Sequence, residues 1–308
     1  MDPCGEHFTI TSGAARAAIS EIGGGLRSLT VDGAHLTEPV PDGARPPRGS
    51  GALLAPWPNR VAGGRWSWQG KAQQLPLTEP AAGNAIHGLL RQSFFRPVDG
   101  ATGRDTDRIT LEAVVPPQNG WPQPVRVAVA YVVDAAGLTV TTTATNLGDG
   151  DIPFGLGFHP YLRVGDTPTD ECTLTLGARA ALPLTDQLPS GPLEPLPADA
   201  PLRAGTLLKG LELDDAFGDC APAAGDDLVR HRLVAPDGRG TELWADPVFR
   251  WVQVFTPADM PGHGRGVAVE PMTCPPDALN SATDLVVLAP GESWSAGWGV
   301  RSLDAGRS

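Results

Sequence analysis

A single carboxylate, Glu270, ends a short apolar run, Arg265-Gly-Val-Ala-Val-Glu270-Pro-Met-Thr-Cys-Pro-Pro276, that proline then stops. In a strand, Val267 and Val269 would share one face while Ala268 and Glu270 share the other. A second ionisable group, His159, sits in an equally apolar stretch punctuated by glycine, Phe154-Gly-Leu-Gly-Phe-His159-Pro-Tyr-Leu162. A glutamate and a histidine brought together can move protons near neutral pH, as ring-opening isomerisations and hydrolyses require. Glutamate is ionised at neutral pH and burial would raise its pKa, while histidine needs only a small shift to be protonated. Each also has a plainer reading, Glu270 as a solvated strand end and His159 as a turn cap before Pro160.

The elements that must position them read as strands. Residues 8–12, 26–31, 65–68, 109–115, 125–134 and 138–145 are short, β-branched or alternating, and bounded by turn residues. The pattern continues at 228–234, 241–245, 250–256, 266–270, 284–288 and 293–301. The runs 125–133 and 138–145 form the clearest hairpin, and convincing helix windows are almost absent. Two stretches, 39–50 and the Pro/Leu-rich 182–205, read as long surface loops, neither extreme enough to divide the chain. We therefore expect an all-β protein, one large antiparallel structure of two packed sheets forming a single domain over residues 1–308.

Composition narrows the partners. The chain has 308 residues, 38 glycines, 32 prolines, 41% hydrophobic and 19% charged residues, a balance suited to many short strands joined by turns. A net charge of −12 argues against nucleic acid or an anionic membrane. The N-terminus lacks the basic and apolar regions of a signal peptide, and no apolar run approaches a bilayer span, so we expect a soluble, cytoplasmic protein. Cys4, Cys172, Cys220 and Cys274 show no CxxC pairing and are expected to be reduced thiols, with no metal site. Neither a dinucleotide fingerprint nor a P-loop, GxSxG or HExxH motif occurs, and Gly23-Gly-Gly reads as a turn into the next strand.

Five local motifs, in order, resemble those of the aldose 1-epimerase (galactose mutarotase) family, including its subgroup with a Glu-Pro-Met-Thr-Cys segment. They are Pro56-Trp-Pro-Asn59-Arg60-Val-Ala-Gly-Gly-Arg65-Trp, Asn84-Ala-Ile-His87-Gly-Leu-Leu-Arg91, Phe158-His159-Pro-Tyr161, Leu213-Asp214-Asp215-Ala-Phe217 and Val269-Glu270-Pro-Met. Together they cover roughly residues 20–300. The resemblance implies a large β-supersandwich with an open cleft and no cofactor, interconverting the α and β anomers of a free aldose. By motif match, Glu270 would be the base that takes the proton from the anomeric hydroxyl, and His159 the acid that protonates the ring oxygen. Arg60, His87 and Asp214 would hydrogen-bond and orient the sugar, and Gln253 resembles a family position that lends a polar group to the cleft.

The plainer readings stand beside these: His87 as a core histidine, Arg60 as a surface ion-pair partner, Asp215 in place of Asp214. Spacing to Phe217 favours Asp214. Trp66, Trp251 and Phe217 are candidate platforms for a sugar face, with core packing the alternative. His7, His35, His231 and His263 have no motif and read as surface. Ring opening removes one proton and adds another at adjacent oxygens, so the two groups are expected on opposite sides of a space one pyranose wide. A hexose 6-phosphate or other anionic sugar is the nearest alternative substrate, for which Arg65, Arg91 and Arg96 are available cations. A non-catalytic carbohydrate-binding domain is the alternative from another class. Monomer and homodimer are both open.

Overall fold

The computed structural model describes residues 3–99, 106–261 and 264–303. Within them nearly all regular structure is β, in antiparallel ladders dominated by a nine-stranded and a seven-stranded sheet. A four-stranded sheet, starting with His7–Ser12 and Ala15–Ser20, packs beside them, the Tyr131 hydroxyl reaching Gly24 O at 2.5 Å. The nine-stranded sheet contains the expected hairpin, Val125–Val133 with Gly137–Asn146, in unbroken register from Val125 opposite Asn146 to Val133 opposite Leu138. Its centre is the long strand Ser293–Leu303, which pairs Gly137–Asn146 on one side and Gly240–Ala245 on the other.

The seven-stranded sheet assembles segments remote in sequence. Asp214–Gly218, Trp251–Phe255, Ala268–Met272, Gly157–Phe158 and Leu53–Leu54 lie side by side in that order. Alternation divides its faces as the sequence implied. Val267, Val269, Val252 and Val254 join the main hydrophobic core, while Ala268 and Met272 belong to two small clusters on the other face. Phe158 of this sheet meets Trp298 of the nine-stranded sheet, ring centroids 4.7 Å apart, so one continuous core ties the two sheets together.

Several expectations need correction. Residues 182–205 are not a bare loop: they carry the hairpin Leu184–Thr185 with Leu188–Pro189, the edge strand Glu194–Pro195 and the short helix Pro201–Ala204. The hairpin turns through Asp186 and Gln187, both at positive φ, which polar turn residues tolerate and which a composition reading misses. His231 is buried rather than surface, because alternation in Val229–Val234 turns residues 229, 231 and 233 inward. His7 and His35 are half-buried, and His263 lies outside the described residues. The four cysteines are free and buried. Among the described residues no helix is long and apolar enough to cross a membrane.

Candidate active site

Three adjacent strands of the seven-stranded sheet put polar groups into one row. In the pairing of Trp251–Phe255 with Ala268–Met272, Gln253 lies opposite Glu270. On the other side of Ala268–Met272, the pairs Gly157–Met272 and Tyr161–Ala268 bracket His159 opposite Glu270. Gln253, Glu270 and His159 therefore form a transverse row on the face away from the core. Asp214, two residues from the Gln253 partner Ala216, sits diagonally on the same face. Asp215 points the other way and is exposed, so strand parity separates the two aspartates in favour of Asp214.

His159 Nε2 lies 3.3 Å from Glu270 Oε1, both side chains almost fully buried. This corrects the expected pyranose-wide gap: cross-strand neighbours on one face stand in contact, so a sugar must lie against both groups from the cleft side and not between them. The other carboxylate oxygen, Oε2, is buried with no hydrogen-bond partner among the described residues. Burial, with the Asp214 charge adding and Arg60 opposing, raises the Glu270 pKa well above its ordinary value. Burial, with Arg91 adding, pushes His159 down to about 3. Both shifts favour a neutral pair with its proton on the carboxyl group, the reverse of the protonated histidine expected from sequence.

His87 and Arg60 arrive on a separate two-stranded ladder, Arg60–Val61 with Ala85–Ile86. Asn59 and His87 both have positive φ and lock together: His87 N–H donates to Asn59 O at 2.9 Å, and Asn59 N–H donates to His87 Nδ1 at 3.2 Å. The next residue must be glycine, since a Cβ on Gly88 would lie 2.0 Å from Ala55 O. With Nδ1 accepting, the neutral His87 ring carries its proton on Nε2 as a donor. Burial and then the neighbouring His159 hold His87 well below its ordinary pKa. The two imidazoles meet edge to face with centroids 5.5 Å apart. Donor atoms of His87, His159 and Glu270 lie within 4.8 Å of one another, a grouping able to hold a divalent cation.

Arg60 makes a two-point ion pair with Glu79, Nε and Nη2 each 2.8 Å from a carboxylate oxygen. It also acts electrostatically on Asp214 and Glu270, so the ion pair with Glu79 leaves it beside the polar row. Gln253 is bonded on both sides of its amide: its Oε1 accepts from Asn59 Nδ2 at 3.2 Å and its Nε2 donates to Asp214 Oδ1 at 2.7 Å. These two bonds tie Asn59 and Asp214 together across the row. Burial raises the Asp214 pKa, while the Gln253 hydrogen bond and the Arg60 charge draw it down.

Of the candidate platforms, Trp66 and Phe217 take the core-packing alternative. Trp66 is buried against Trp121 and Trp68 and donates to Gly120 O, and Phe217 lies in the main core. Trp251 is buried on the cleft face beside Met272, its indole N–H held by Asp284. An aromatic ring that meets the Gln253–Glu270–His159 row is Tyr161, stacked on His159 with centroids 5.2 Å apart. Its hydroxyl donates to Arg48 O at 3.3 Å, which draws the 47–49 turn over the site. A Cβ on Gly49 would stand 3.2 Å from the His159 ring. Tyr161 was legible in the His-Pro-Tyr motif, and Asn59 beside Arg60. Glu79, in a turn, had no sequence signal. Of the three cations named above, Arg65 and Arg96 are exposed, Arg65 on the strand Arg65–Trp68 and Arg96 on an outer strand of the nine-stranded sheet. Arg91 alone acts on both His87 and His159.

Comparison with known proteins adds an independent line. The family model described as aldose 1-epimerase matches residues 6–300. The chain is 32% identical over 295 residues to the uncharacterised protein YihR of Escherichia coli, covering 95% of this chain and 92% of that one. It is 28% identical over 158 residues to rat galactose mutarotase, covering 49% of this chain and 44% of that one. Among solved structures, a putative aldose 1-epimerase from Escherichia coli superposes with a TM-score of 0.80 at 24% identity, over 97% of this chain and 99% of the other.

Proposed function

We propose, from the premise that this chain belongs to the aldose 1-epimerase family, that it interconverts the α and β anomers of a free aldose through the open-chain aldehyde. The observation that carries the reading is the buried Glu270–His159 pair at 3.3 Å, ringed by Arg60, His87, Asp214 and Gln253. Glu270 takes the proton from the anomeric hydroxyl, and His159 gives one to the ring oxygen as the C1–O5 bond breaks. Rotation about C1–C2 and the reverse transfers close the ring on the other face. His87 donates through Nε2, and Arg60 and Asp214 orient the hydroxyls. No redox partner is required.

The pair needs one shared proton for this. With the proton on His159, it is armed for ring opening. After the transfers the proton is on Glu270 and the histidine is neutral, which is the form that burial favours. Closure by the reverse transfers puts the proton back on His159, and the 3.3 Å contact lets the resting neutral pair pass its proton from carboxyl to imidazole before the next opening. A pair holding two protons or none cannot perform both transfers, so the rate should show a bell-shaped pH dependence belonging to the pair.

An anionic sugar is the second reading. Arg91 favours it, since its half-buried guanidinium acts on both histidines and makes no hydrogen bond or ion pair among the described residues. The free buried thiols fit a cytoplasmic location, and the continuous core fits one domain. The test is anomeric exchange, by saturation-transfer NMR or polarimetry, over a panel of neutral, phosphorylated and sulfonated aldoses. Exchange on none of them, with sugar binding intact, would replace the enzyme by a carbohydrate-binding domain.

A further inference from the structure

Away from the catalytic row, arginines gather on the nine-stranded sheet of a chain whose net charge is −12. Arg230 and Arg232 project from the outward side of Val229–Val234, whose residues 229, 231 and 233 face the core. Strand register sets Glu242 between Arg232 and Arg301 in one row. The Glu242 carboxylate is completely covered. Its Oε1 accepts from Arg230 Nη1 at 2.6 Å and from Arg301 Nη2 at 2.7 Å, and its Oε2 accepts from Arg232 Nε at 2.7 Å. Arg230 also pairs with Asp226, Nη2 to Oδ1 at 2.9 Å.

Two more arginines close the ring without any carboxylate. Arg179 donates to Pro222 O at 2.9 Å and Arg203 to Leu196 O at 2.6 Å, and neither makes an ion pair among the described residues. Arg179, Arg203, Arg230 and Arg232 line one cavity of about 280 Å³, with Asp226 as its single acidic wall residue among the described residues. Counting Arg301 and Glu242 behind the wall, five guanidinium groups face two carboxylates.

An ion-pair network that served stability alone would match its charges, because unbalanced guanidinium groups repel one another and each carries more N–H donors than one carbonyl can satisfy. The surplus suits an oxyanion clamp, with forked donors brought to one cavity from the strand Val229–Val234, the short helix Pro201–Ala204 and the segment before Ala180. We propose that this cavity binds the phosphate or sulfate group of a small molecule, at a site distinct from the Glu270–His159 cleft. The strongly negative protein as a whole would repel a long polyanion, so the ligand is a small one.

Titration calorimetry with inorganic phosphate, a hexose 6-phosphate and a nucleoside diphosphate, at a constant ionic strength of about 0.1 M, tests this. Arg179 and Arg203 are tethered only to backbone carbonyls, so the double variant Arg179→Ala/Arg203→Ala should fold, as circular dichroism would verify. Saturable binding of one equivalent of inorganic phosphate is expected, weakened at least about ten-fold in the double variant, while an Arg91→Ala variant binds inorganic phosphate as the parent does. The tightest of the three probes identifies the molecule that carries the group. Absence of saturable binding by any probe overturns the proposal. So does equal binding of inorganic phosphate by the parent and the double variant, or its loss on Arg91→Ala, which would place the anion in the Glu270–His159 cleft.

Discussion

Replacing Glu270 by glutamine separates the chemistry of the pair from its architecture. The substitution keeps the shape of a side chain that is 2% exposed and stands 3.3 Å from His159. On the proposed mechanism it removes the group that takes the proton from the anomeric hydroxyl while its histidine partner gives one. Loss of a general acid–base group lowers a rate by roughly 10²–10⁴, about 3–5 kcal/mol of transition-state stabilisation. Sugar affinity should hold, because Arg60, His87 and Asp214 are untouched. Saturation-transfer NMR reads the exchange rate and calorimetry the binding. Stability should move the opposite way. The folded-state pKa of Glu270 is raised, so the carboxyl group favours the folded state below its ordinary value of 4.5, and that advantage is lost as pH rises towards the folded pKa. Glutamine has no such loss, so the melting temperature of Glu270→Gln should exceed that of the parent at neutral pH, the gap narrowing on acidification. Exchange within about ten-fold of the parent rate would refute Glu270 as the base. Asp215 could not then replace it, since it faces away.

Arg60→Ala should raise KM by about ten-fold or more with a smaller change in kcat, as loss of a charged hydrogen-bonding group that orients substrate does; a kcat loss alone in steady-state kinetics would move Arg60 into the proton transfer. His231, held at about 4 by burial against an ordinary 6.5, contributes stability that is present above pH 6.5 and lost as pH falls through 4, about 3 kcal/mol. His231→Asn keeps an acceptor for the Gly177 N–H, and the acid unfolding midpoint followed by circular dichroism should fall; an unchanged midpoint would mean that His231 does not limit acid stability. Exhaustive chelation should leave anomeric exchange unchanged, because two protonatable groups suffice for a redox-neutral isomerisation; activity restored by added metal would show that His87, His159 and Glu270 hold an ion.

Local pattern carried much of this protein. Short alternating runs between glycines and prolines determine strands, and a period of two in Val267–Val269 already assigns Glu270 to the face opposite the core. The His-Pro-Tyr, Asn-Arg and Glu-Pro-Met segments marked which residues to bring together. The same alternation also held the burial of His231, which a motif-based reading passed over. Register and the order of strands were decided only by the tertiary structure, because pairing between segments as distant as 157 and 272 depends on the packing of a whole sheet and leaves no local trace. That register sets His159 against Glu270 in contact and not a sugar's width apart. It also sets the protonation of the pair, since desolvation is a property of everything packed around a group and not of its neighbours in sequence. The arginine cavity is the extreme case: residues 179, 203, 230 and 232, with 301 behind the wall, look like scattered surface charges in the chain, and only the folded sheet turns them into one excess of positive charge.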